Sequence, residues 1–478
     1  MQQYPNTDRV FEIFHELNQI PRPSHHEERI ADYLCQFAQR LHLDYTRDAQ
    51  NCVVIRKPAT PGHEQAETIV LLNHMDMVCV GMNDPLNDPI EAVIDGEWMH
   101  ARGTSLGADN GIGLSMALAI LEDDSIVHGP LEVITTTNEE DGMSGASNLS
   151  PDFIQGRKVI NLDSEDYDTI TTGAAGAYLQ IHHLPLSRVT PPGGKLSWLC
   201  INIDGGRGGH SGVDINKNRA SATTLMWALL SAIGDDCTVN LATLDVGQAS
   251  ASIASSATAI ICVSKDEAAL VKAREAHFNE WLHDEYGKTD PGIRCSITET
   301  EPRRFVINSD DVNALLAALE QIPQGVVKMS ESMPGTVETS NNVGRITCDK
   351  REFTVSTHTR SFVEDDMIKL GEEIKAIFAT EGAMTELMMS APAWQEDQHS
   401  DFLKLTSDTF QDVLGWRPRM VAMHFVLEAG FFVQKYPGIQ MASIGPRIVE
   451  PHSTSERVEV STIHDIWKVT IELLSRLA

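Results

Sequence analysis

Thr68-Ile69-Val70-Leu71-Leu72-Asn73-His74-Met75-Asp76 is the stretch of sequence that decides the fold. It begins with a short apolar run that predicts a buried strand, and polar residues follow at once. Similar runs occur at Leu131 to Thr136, Val159 to Leu162 and Met441 to Ile444, and helical patterns separate them. This alternation predicts an α/β sheet with its functional site at the carboxyl edge of the strands.

The chain is long enough for two domains, and its middle part has a pattern of its own. Its 478 residues exceed what one hydrophobic core usually supports. Beyond the proline- and glycine-rich stretch Thr190 to Gly194, strand patterns such as Phe353 to Ser361 alternate with helical ones such as Asp310 to Ile322. We therefore expect a separate α/β domain inserted into the first.

An N-terminal helix is expected from about Ser24. Ser24 and Glu27 match the S-x-x-E capping box, in which the two side chains satisfy backbone N–H groups at the start of a helix. Apolar residues then recur at helical spacing at Ile30, Leu34 and Phe37.

Composition and charge exclude several classes of partner. With 37 basic and 68 acidic side chains the formal net charge is −31, which repels nucleic acid and anionic membranes. The longest apolar stretch, about Gly113 to Leu121, is far short of the ~20 residues that span a bilayer. The eight cysteines form no C-x-x-C pair and are expected to be reduced thiols. We expect a cytoplasmic protein without nucleic acid or membrane partners, and a homodimer is left open.

Five possible metal ligands follow the predicted strands or lie in adjoining loops. Histidine nitrogen and carboxylate oxygen suit zinc, and manganese or cobalt as substitutes. Five side chains can hold two metal ions if one carboxylate bridges them. The five are His74, Asp109, Glu140, Asp163 and His452.

Two further carboxylates have predicted roles beside these ligands. Asp76 lies two residues after His74 on an extended segment, so both side chains point to the same side. Asp76 can then accept a hydrogen bond from the imidazole N–H that is not used for metal. Glu139 adjoins Glu140, and one of this pair can bind metal while the other takes a proton from water.

Ordinary structural roles compete with these functional ones. A single histidine is more often a surface or core residue, an acidic pair is usually solvated, and an aspartate often caps a helix. The convergence of five candidates favours the metal site. A serine hydrolase is the alternative in another mechanistic class, because Gly103-Thr104-Ser105-Leu106-Gly107 matches G-x-S-x-G.

Several motifs along the chain belong together. They are His74 to Val78, Gly103 to Gly113, Glu139 to Ala146 and Asn161 to Glu165, together with Ile20 to Ser24, Gly208 to Gly212 and Pro451 to Ser453. In this order they resemble the motifs of the aminoacyl-histidine dipeptidases, the carnosine-cleaving, di-zinc metallopeptidases of bacteria, and the resemblance covers nearly the whole chain. It implies a zinc-peptidase-like mixed-sheet catalytic domain of residues 1–176 and 391–478, interrupted by an α/β lid domain of residues 177–390.

The resemblance also implies a role for each site residue in the hydrolysis of dipeptides, whether Xaa-His or less specific ones. One zinc would be bound by His74 and Asp163, and the other by Glu140 and His452. Asp109 would bridge the two ions, Glu139 would be the general base and Asp76 would orient His74. In the lid domain, His210 would stabilise the oxyanion and Arg360 would bind the free carboxylate of the substrate.

This chain departs from the family pattern on the substrate side. It has Ala251-Ser252-Ile253-Ala254 where the family has Asn-Ala-Ile-Pro, and His424-Phe425-Val426-Leu427-Glu428 where the family has His-Ala-Gly-Leu-Glu. A polar substrate contact is therefore expected to be lost, and bulk is added at a glycine. Hydrolysis of N-acyl amino acids and a catalytically weak relative remain as alternatives.

Overall fold

A computed structural model describes residues 4–82, 84–395 and 400–478. Its helices are α1 (Asp8–Asn18), α2 (Glu28–Arg40), α3 (Ala108–Glu122), α4 (Ser144–Asn148), α5 (Ala222–Gly234), α6 (Ala268–Tyr286), α7 (Ser309–Gln321), α8 (Glu364–Thr380), α9 (Asp401–Leu414), α10 (Ala429–Lys435) and α11 (Val460–Arg476). Within the described residues, none of these helices is both long enough and apolar enough to cross a membrane.

The described residues also form twenty-five strands. They are β1 (Asp44–Arg47), β2 (Val53–Lys57), β3 (Ile69–His74), β4 (Ala92–Asp95), β5 (Trp98–Ala101), β6 (Leu131–Thr136), β7 (Lys158–Asn161), β8 (Thr169–Ala174), β9 (Gly176–Pro185), β10 (Arg188–Val189), β11 (Leu196–Asp204), β12 (Gly209–His210), β13 (Asn240–Val246), β14 (Ser252–Ile253), β15 (Ala257–Ser264), β16 (Arg294–Glu299), β17 (Val306–Ile307), β18 (Gly325–Met329), β19 (Val337–Cys348), β20 (Glu352–Ser361), β21 (Met384–Ala391), β22 (Arg419–Met423), β23 (Gln440–Ser443), β24 (Ile448–Val449) and β25 (Arg457–Glu459).

The chain divides into two compact units. The first unit comprises Met1–Gly173, Glu396–Ala422 and Leu427–Ala478, and the second comprises Ala174–Gln395 and Met423–Val426. The second unit is therefore inserted into the chain of the first, as one long segment and one short segment.

The first unit is built on a mixed eight-stranded sheet with the order β1-β2-β6-β3-β7-β23-β8-β22. Four neighbouring strands at its centre, β6, β3, β7 and β23, run parallel, and the pairs that flank them are antiparallel. The central strands are apolar and almost wholly buried, as expected of strands covered on both faces. Their carboxyl ends consequently lie side by side at one edge of the sheet.

Helix α3 is the most buried helix of the first unit, because its sequence is apolar on every side. Residues 110–121 are all buried, and they share one hydrophobic core with the apolar faces of α1, α2 and α11. A helix that is apolar all round requires such cover. The core thereby fixes the position of the first turn of α3, which carries Asp109.

The second unit has a separate core and an antiparallel sheet. Its strands follow the order β16-β11-β15-β13-β19-β20-β9-β21, with β18 added beside β19. Helices α5 to α8 contribute apolar residues to this core, including Leu225, Val271, Leu315 and Ile374.

The predicted capping box at Ser24 is wrong. The helix begins only at Glu28, and the residue before it, Glu27, makes no side-chain cap. Ser24 Oγ instead donates to Asp76 Oδ2 at 2.8 Å, while Glu27 accepts the backbone N–H groups of His25 and Asn138. Both side chains therefore form hydrogen bonds with residues near the predicted metal site and do not cap the helix.

Candidate metal centre

The structure brings the five predicted ligands together at the carboxyl edge of the parallel strands. His74 is the last residue of β3, and Asp163 follows β7 after one intervening residue. Glu140 lies in the loop after β6, Asp109 in the first turn of α3, and His452 in the loop between β24 and β25. His74, Glu140 and Asp163 meet because β3, β6 and β7 are neighbours in the sheet, whereas helix α3 and the loop between β24 and β25 supply Asp109 and His452.

Asp109 lies between the two histidines, with one carboxylate oxygen facing each ring. His74 Nε2 is 3.0 Å from Asp109 Oδ1, and His452 Nε2 is 3.2 Å from Asp109 Oδ2. His74 Nε2 is also 3.2 Å from Asp163 Oδ1, and His452 Nε2 is 2.9 Å from Glu140 Oε2. The side chains form two groups of three that share Asp109.

The hydrogen bonding of His74 leaves its Nε2 atom able to bind a cation together with two neighbouring carboxylates. His74 Nδ1 is 3.1 Å from the backbone oxygen of Asp76, which can only accept a hydrogen bond, so Nδ1 carries a proton. In the neutral ring Nε2 is then a lone pair that faces the oxygens of Asp109 and Asp163. Lone pairs and anionic oxygens at this distance need a proton or a metal ion among them.

The distances and the donor set fit a divalent metal ion. Two atoms that bind one tetrahedral zinc at about 2.0–2.1 Å lie about 3.3 Å apart, close to the 2.9–3.2 Å separations seen here. One donor atom each from His74, Asp109 and Glu140 lies within 4.8 Å of the others. Glu140 Oε1 is buried and lacks a hydrogen-bond partner, as a metal-binding oxygen would in a protein without its ion.

The family of the chain follows from comparison with known proteins. The model of Peptidase family M20/M25/M40 matches residues 70–476, which include all five residues. The chain belongs to this family. It is 34% identical over 472 residues to the cytosol non-specific dipeptidase of Escherichia coli (strain K12), covering 98% of this chain and 97% of that protein.

Solved structures agree with this assignment. The crystal structure of aminoacylhistidine dipeptidase from Vibrio alginolyticus matches with a TM-score of 0.92 and 33% identity, over 98% of this chain and 96% of that one. Aminopeptidase PepT from Bacillus cereus, at 17% identity and a TM-score of 0.63 over 99% of both chains, shares the fold alone. The predicted resemblance, the α/β fold with an inserted lid domain and the prediction of a hydrolase are confirmed.

The serine hydrolase alternative does not hold for this peptidase. Ser105 is fully buried, and its Oγ donates to the backbone oxygen of Val78 at 2.7 Å and accepts the N–H of Val80 at 3.1 Å. The hydroxyl therefore connects the loop before α3 to the loop after β3, and it is not available as a nucleophile.

Asp76 organises the loop that carries the glutamate pair. Its carboxylate accepts the backbone N–H of Glu139 at 3.0 Å and that of Glu140 at 3.2 Å. The carboxylate is 3.6 Å from His74 Nδ1, so the backbone oxygen of Asp76, rather than its side chain, is the closer partner of that ring. Asp76 is thus linked to His74, Glu139 and Glu140 at once.

Glu139 has a carboxylate that is free to act on a water molecule. Among the described residues it makes no hydrogen bond or ion pair. Burial raises its pKa well above the ordinary range, and the charges of Asp163, Glu428 and Glu140 raise it further. A carboxylate whose pKa is raised toward 7 is a better general base at neutral pH.

Sequence reasoning missed two acidic residues beside the centre. Burial, with the charges of Asp109 and Asp163, raises the pKa of Glu165 to about 8, and this carboxylate also has no partner among the described residues. Glu428 is fully buried, its Oε2 accepts from Thr136 at 2.8 Å, and burial raises its pKa to about 8. Glu165 belongs to the motif Asn161 to Glu165, but the effect of Asp109 on its pKa depends on the fold and has no signal in the sequence.

Metal binding to this centre is expected to release protons. The carboxylates of Asp109 and Glu140 raise the pKa of His452 to about 11, and those of Asp163 and Asp109 raise that of His74 despite its burial. Both rings therefore hold protons at pH 7 when no metal is bound, and a metal ion must displace them. Affinity should rise between pH 6 and pH 8. Titration calorimetry in two buffers of different ionisation enthalpy measures the release, and a pH-independent affinity would contradict this expectation.

The lid domain contains the other two predicted site residues, His210 and Arg360. His210 Nδ1 accepts the backbone N–H groups of Gly212 and Val213, so the proton of the neutral ring lies on Nε2. Burial, and then the charge of Arg360, lower the pKa of His210. The ring can therefore serve as a neutral hydrogen-bond donor.

Arg360 is a buried cation with no acidic partner within the described ranges. Its Nε and one terminal nitrogen each lie 3.4 Å from Ser211 Oγ, and among the described residues it forms no ion pair with a carboxylate. Burial lowers its pKa to about 10. Burial and the Arg360 charge also hold the pKa of His358 well below its ordinary value and lower that of His424 to about 3, so both rings are neutral. Such an environment favours an anion.

Proposed function

We propose that this protein is a two-metal dipeptidase that hydrolyses the single peptide bond of dipeptides. The observation that carries the proposal is the placement of Asp109, whose two carboxylate oxygens each face a different histidine. One ion would be held by His74, Asp163 and Asp109, and the other by His452, Glu140 and Asp109. The histidine and carboxylate donors suit zinc, with manganese or cobalt as substitutes.

Bound metal ions would polarise the scissile carbonyl and make water a better nucleophile at neutral pH. Glu139 takes a proton from the attacking water as the oxygen bonds to the carbonyl carbon. The same carboxyl then delivers that proton to the departing amine when the C–N bond breaks. The Asp76 carboxylate accepts the backbone N–H of Glu139, and the carboxylate of Glu139, which has no partner among the described residues, can make both transfers.

Two observations support dipeptides as the substrate class. Relatives that match at 33–34% identity over nearly their whole length bear the names cytosol non-specific dipeptidase and aminoacylhistidine dipeptidase. Arg360 offers a buried guanidinium with no acidic partner among the described residues, which suits the C-terminal carboxylate of a substrate. The name of the E. coli relative and the eight free cysteines support a cytoplasmic location.

A panel of substrates tests the proposal. We expect carnosine and an Ala-Ala dipeptide to be cleaved, and the amide of Ala-Ala and a tripeptide to be poor substrates. Because Ala251 and Val426 replace the family's Asn and Gly, small C-terminal residues should be accepted as readily as histidine. Efficient cleavage of the amide or the tripeptide would rule out the carboxylate anchor. Cleavage of N-acetyl amino acids alone would favour the N-acyl alternative, and inactivity toward every substrate would favour a weak relative.

Arg360→Ala provides the matched variant for this panel. Removing one partner of a buried charge pair typically costs about 2–5 kcal/mol, so kcat/KM for the free dipeptide should fall accordingly. The residual activity on the amide should change little, because the amide lacks the charge that Arg360 recognises. An equal loss on both substrates would show that Arg360 supports the fold rather than the carboxylate.

A further inference from the structure

The carboxylate of Glu456 binds four consecutive backbone N–H groups at the start of α3. Glu456 Oε2 accepts from Leu106 at 2.7 Å and Gly107 at 3.0 Å, and Oε1 accepts from Ala108 at 2.8 Å and, more weakly, Asp109 at 3.5 Å. Gly107, the residue before the helix, has no side chain with which to cap it. A distant glutamate therefore satisfies the N–H groups that a local cap would otherwise take, at the helix end that favours negative charge.

Arg22 holds the same turn from its other side. Its guanidinium is fully buried and donates to the backbone oxygen of Gly107 at 2.8 Å, and more weakly to those of Met75 and Asp76. Gly107 has a φ of 68°, and a Cβ there would lie 2.6 Å from the Arg22 guanidinium. The Gly107 backbone is thus held between a cationic and an anionic side chain, with no room for a side chain of its own.

Glu456 also belongs to the loop that supplies a second ligand. It lies four residues after His452 in the turn before β25, and its backbone N–H donates to Ser453 at 3.2 Å. The hydrogen bonds of the Glu456 carboxylate therefore connect the loop that carries His452 to the turn that carries Asp109. These are the two side chains that meet at 3.2 Å in the centre.

We propose that Glu456 is a positioning residue of the metal centre, which sets the Asp109 carboxylate against His452. The inference rests on the proposed two-metal function. It assigns Glu456 no contact with metal or substrate, and its effect passes through the backbone of residues 106–109. Residues that orient metal ligands in this way typically change metal affinity by ~10–100-fold when they are replaced.

Three variants of the full-length protein separate positioning from general stability and from charge. Glu456→Gln keeps the shape but loses two acceptor sites, and Glu456→Asp keeps the charge but is too short to span four N–H groups. Glu132→Gln is the matched control, because Glu132 is also 2% exposed and accepts two backbone N–H groups, those of Gln155 and Gly156. Glu132 lies near the start of β6, at the end of the strand away from the ligands.

The readouts are Mn²⁺ affinity by titration calorimetry and the Tm of the metal-free protein. We expect both Glu456 variants to weaken Mn²⁺ binding by ~10–100-fold. Glu132→Gln should lower Tm without changing Mn²⁺ affinity. Unchanged affinity in Glu456→Gln would overturn the positioning role, and so would wild-type affinity in Glu456→Asp, since charge alone would then explain the effect. A wild-type protein that binds no Mn²⁺ would instead overturn the two-metal function itself, and this inference with it.

Discussion

Replacing Glu139 with glutamine is expected to lower kcat by ~10²–10⁴ while both metal ions stay bound, because general base catalysis contributes a factor of that size. Glutamine keeps the shape of the side chain but cannot take a proton from water. The carboxylate of Glu139 has no partner among the described residues, so its loss should leave the loop in place. Steady-state kinetics with metal analysis by atomic absorption measures both quantities.

Glu165→Gln is the control that makes this experiment decisive. Glu165 is a second carboxylate near the ligands that has no partner in the described part of the chain, and burial raises its pKa as it does that of Glu139. If Glu139 is the base, Glu165→Gln should retain a kcat within about tenfold of wild type, below the range of general base catalysis. The reverse pattern, with Glu165→Gln inactive and Glu139→Gln active, would assign the proton transfer to Glu165.

Asp109→Ala is expected to abolish tight metal binding at both positions and to reduce activity to background. Each oxygen of Asp109 faces a different histidine, so both groups of ligands lose a member with this one side chain. The two rings would also lose a carboxylate that balances their charge. Metal content after dialysis should fall from two ions per chain to none.

Asp163→Ala distinguishes a ligand that binds both ions from a ligand that binds only one. Of the two histidines, Asp163 contacts His74, at 3.2 Å, so its loss should affect one ion and leave the position formed by His452, Glu140 and Asp109. We expect one ion per chain in this variant and none in Asp109→Ala. Equal metal content in the two variants would contradict the bridging role of Asp109.

The central strands could be predicted from sequence because their signal is local. The run Leu131 to Thr136 is strand β6 without a residue of difference, and the runs at Val159 and Met441 are displaced from β7 and β23 by one residue. Each run is short, apolar and followed by polar residues, which is sufficient for a buried parallel strand. Candidate ligands at strand ends follow from the same pattern, since parallel strands end at one edge.

The interactions around the centre could not be predicted because they depend on residues that are distant in sequence. Ser24 matches a helix cap locally, but its hydroxyl bonds Asp76 across 52 positions of sequence. In the sequence, Glu456 is an acidic residue in a polar loop, and nothing indicates that it binds the backbone of residues 106–109. No spacing rule relates such partners, because the contacts exist only after the sheet has brought the loops together.

The place of β23 in the sheet has a consequence for biosynthesis. Strands β7 and β8 are made before the insertion, yet β23, which lies between them, is made after it. A nascent chain that has reached the insertion therefore exposes an unfilled gap in the middle of its sheet and lacks His452. Because open strand edges invite pairing with other chains, early folding of this half would carry a risk of aggregation. Completion of the sheet and completion of the metal centre thus depend on the same late segment of the chain.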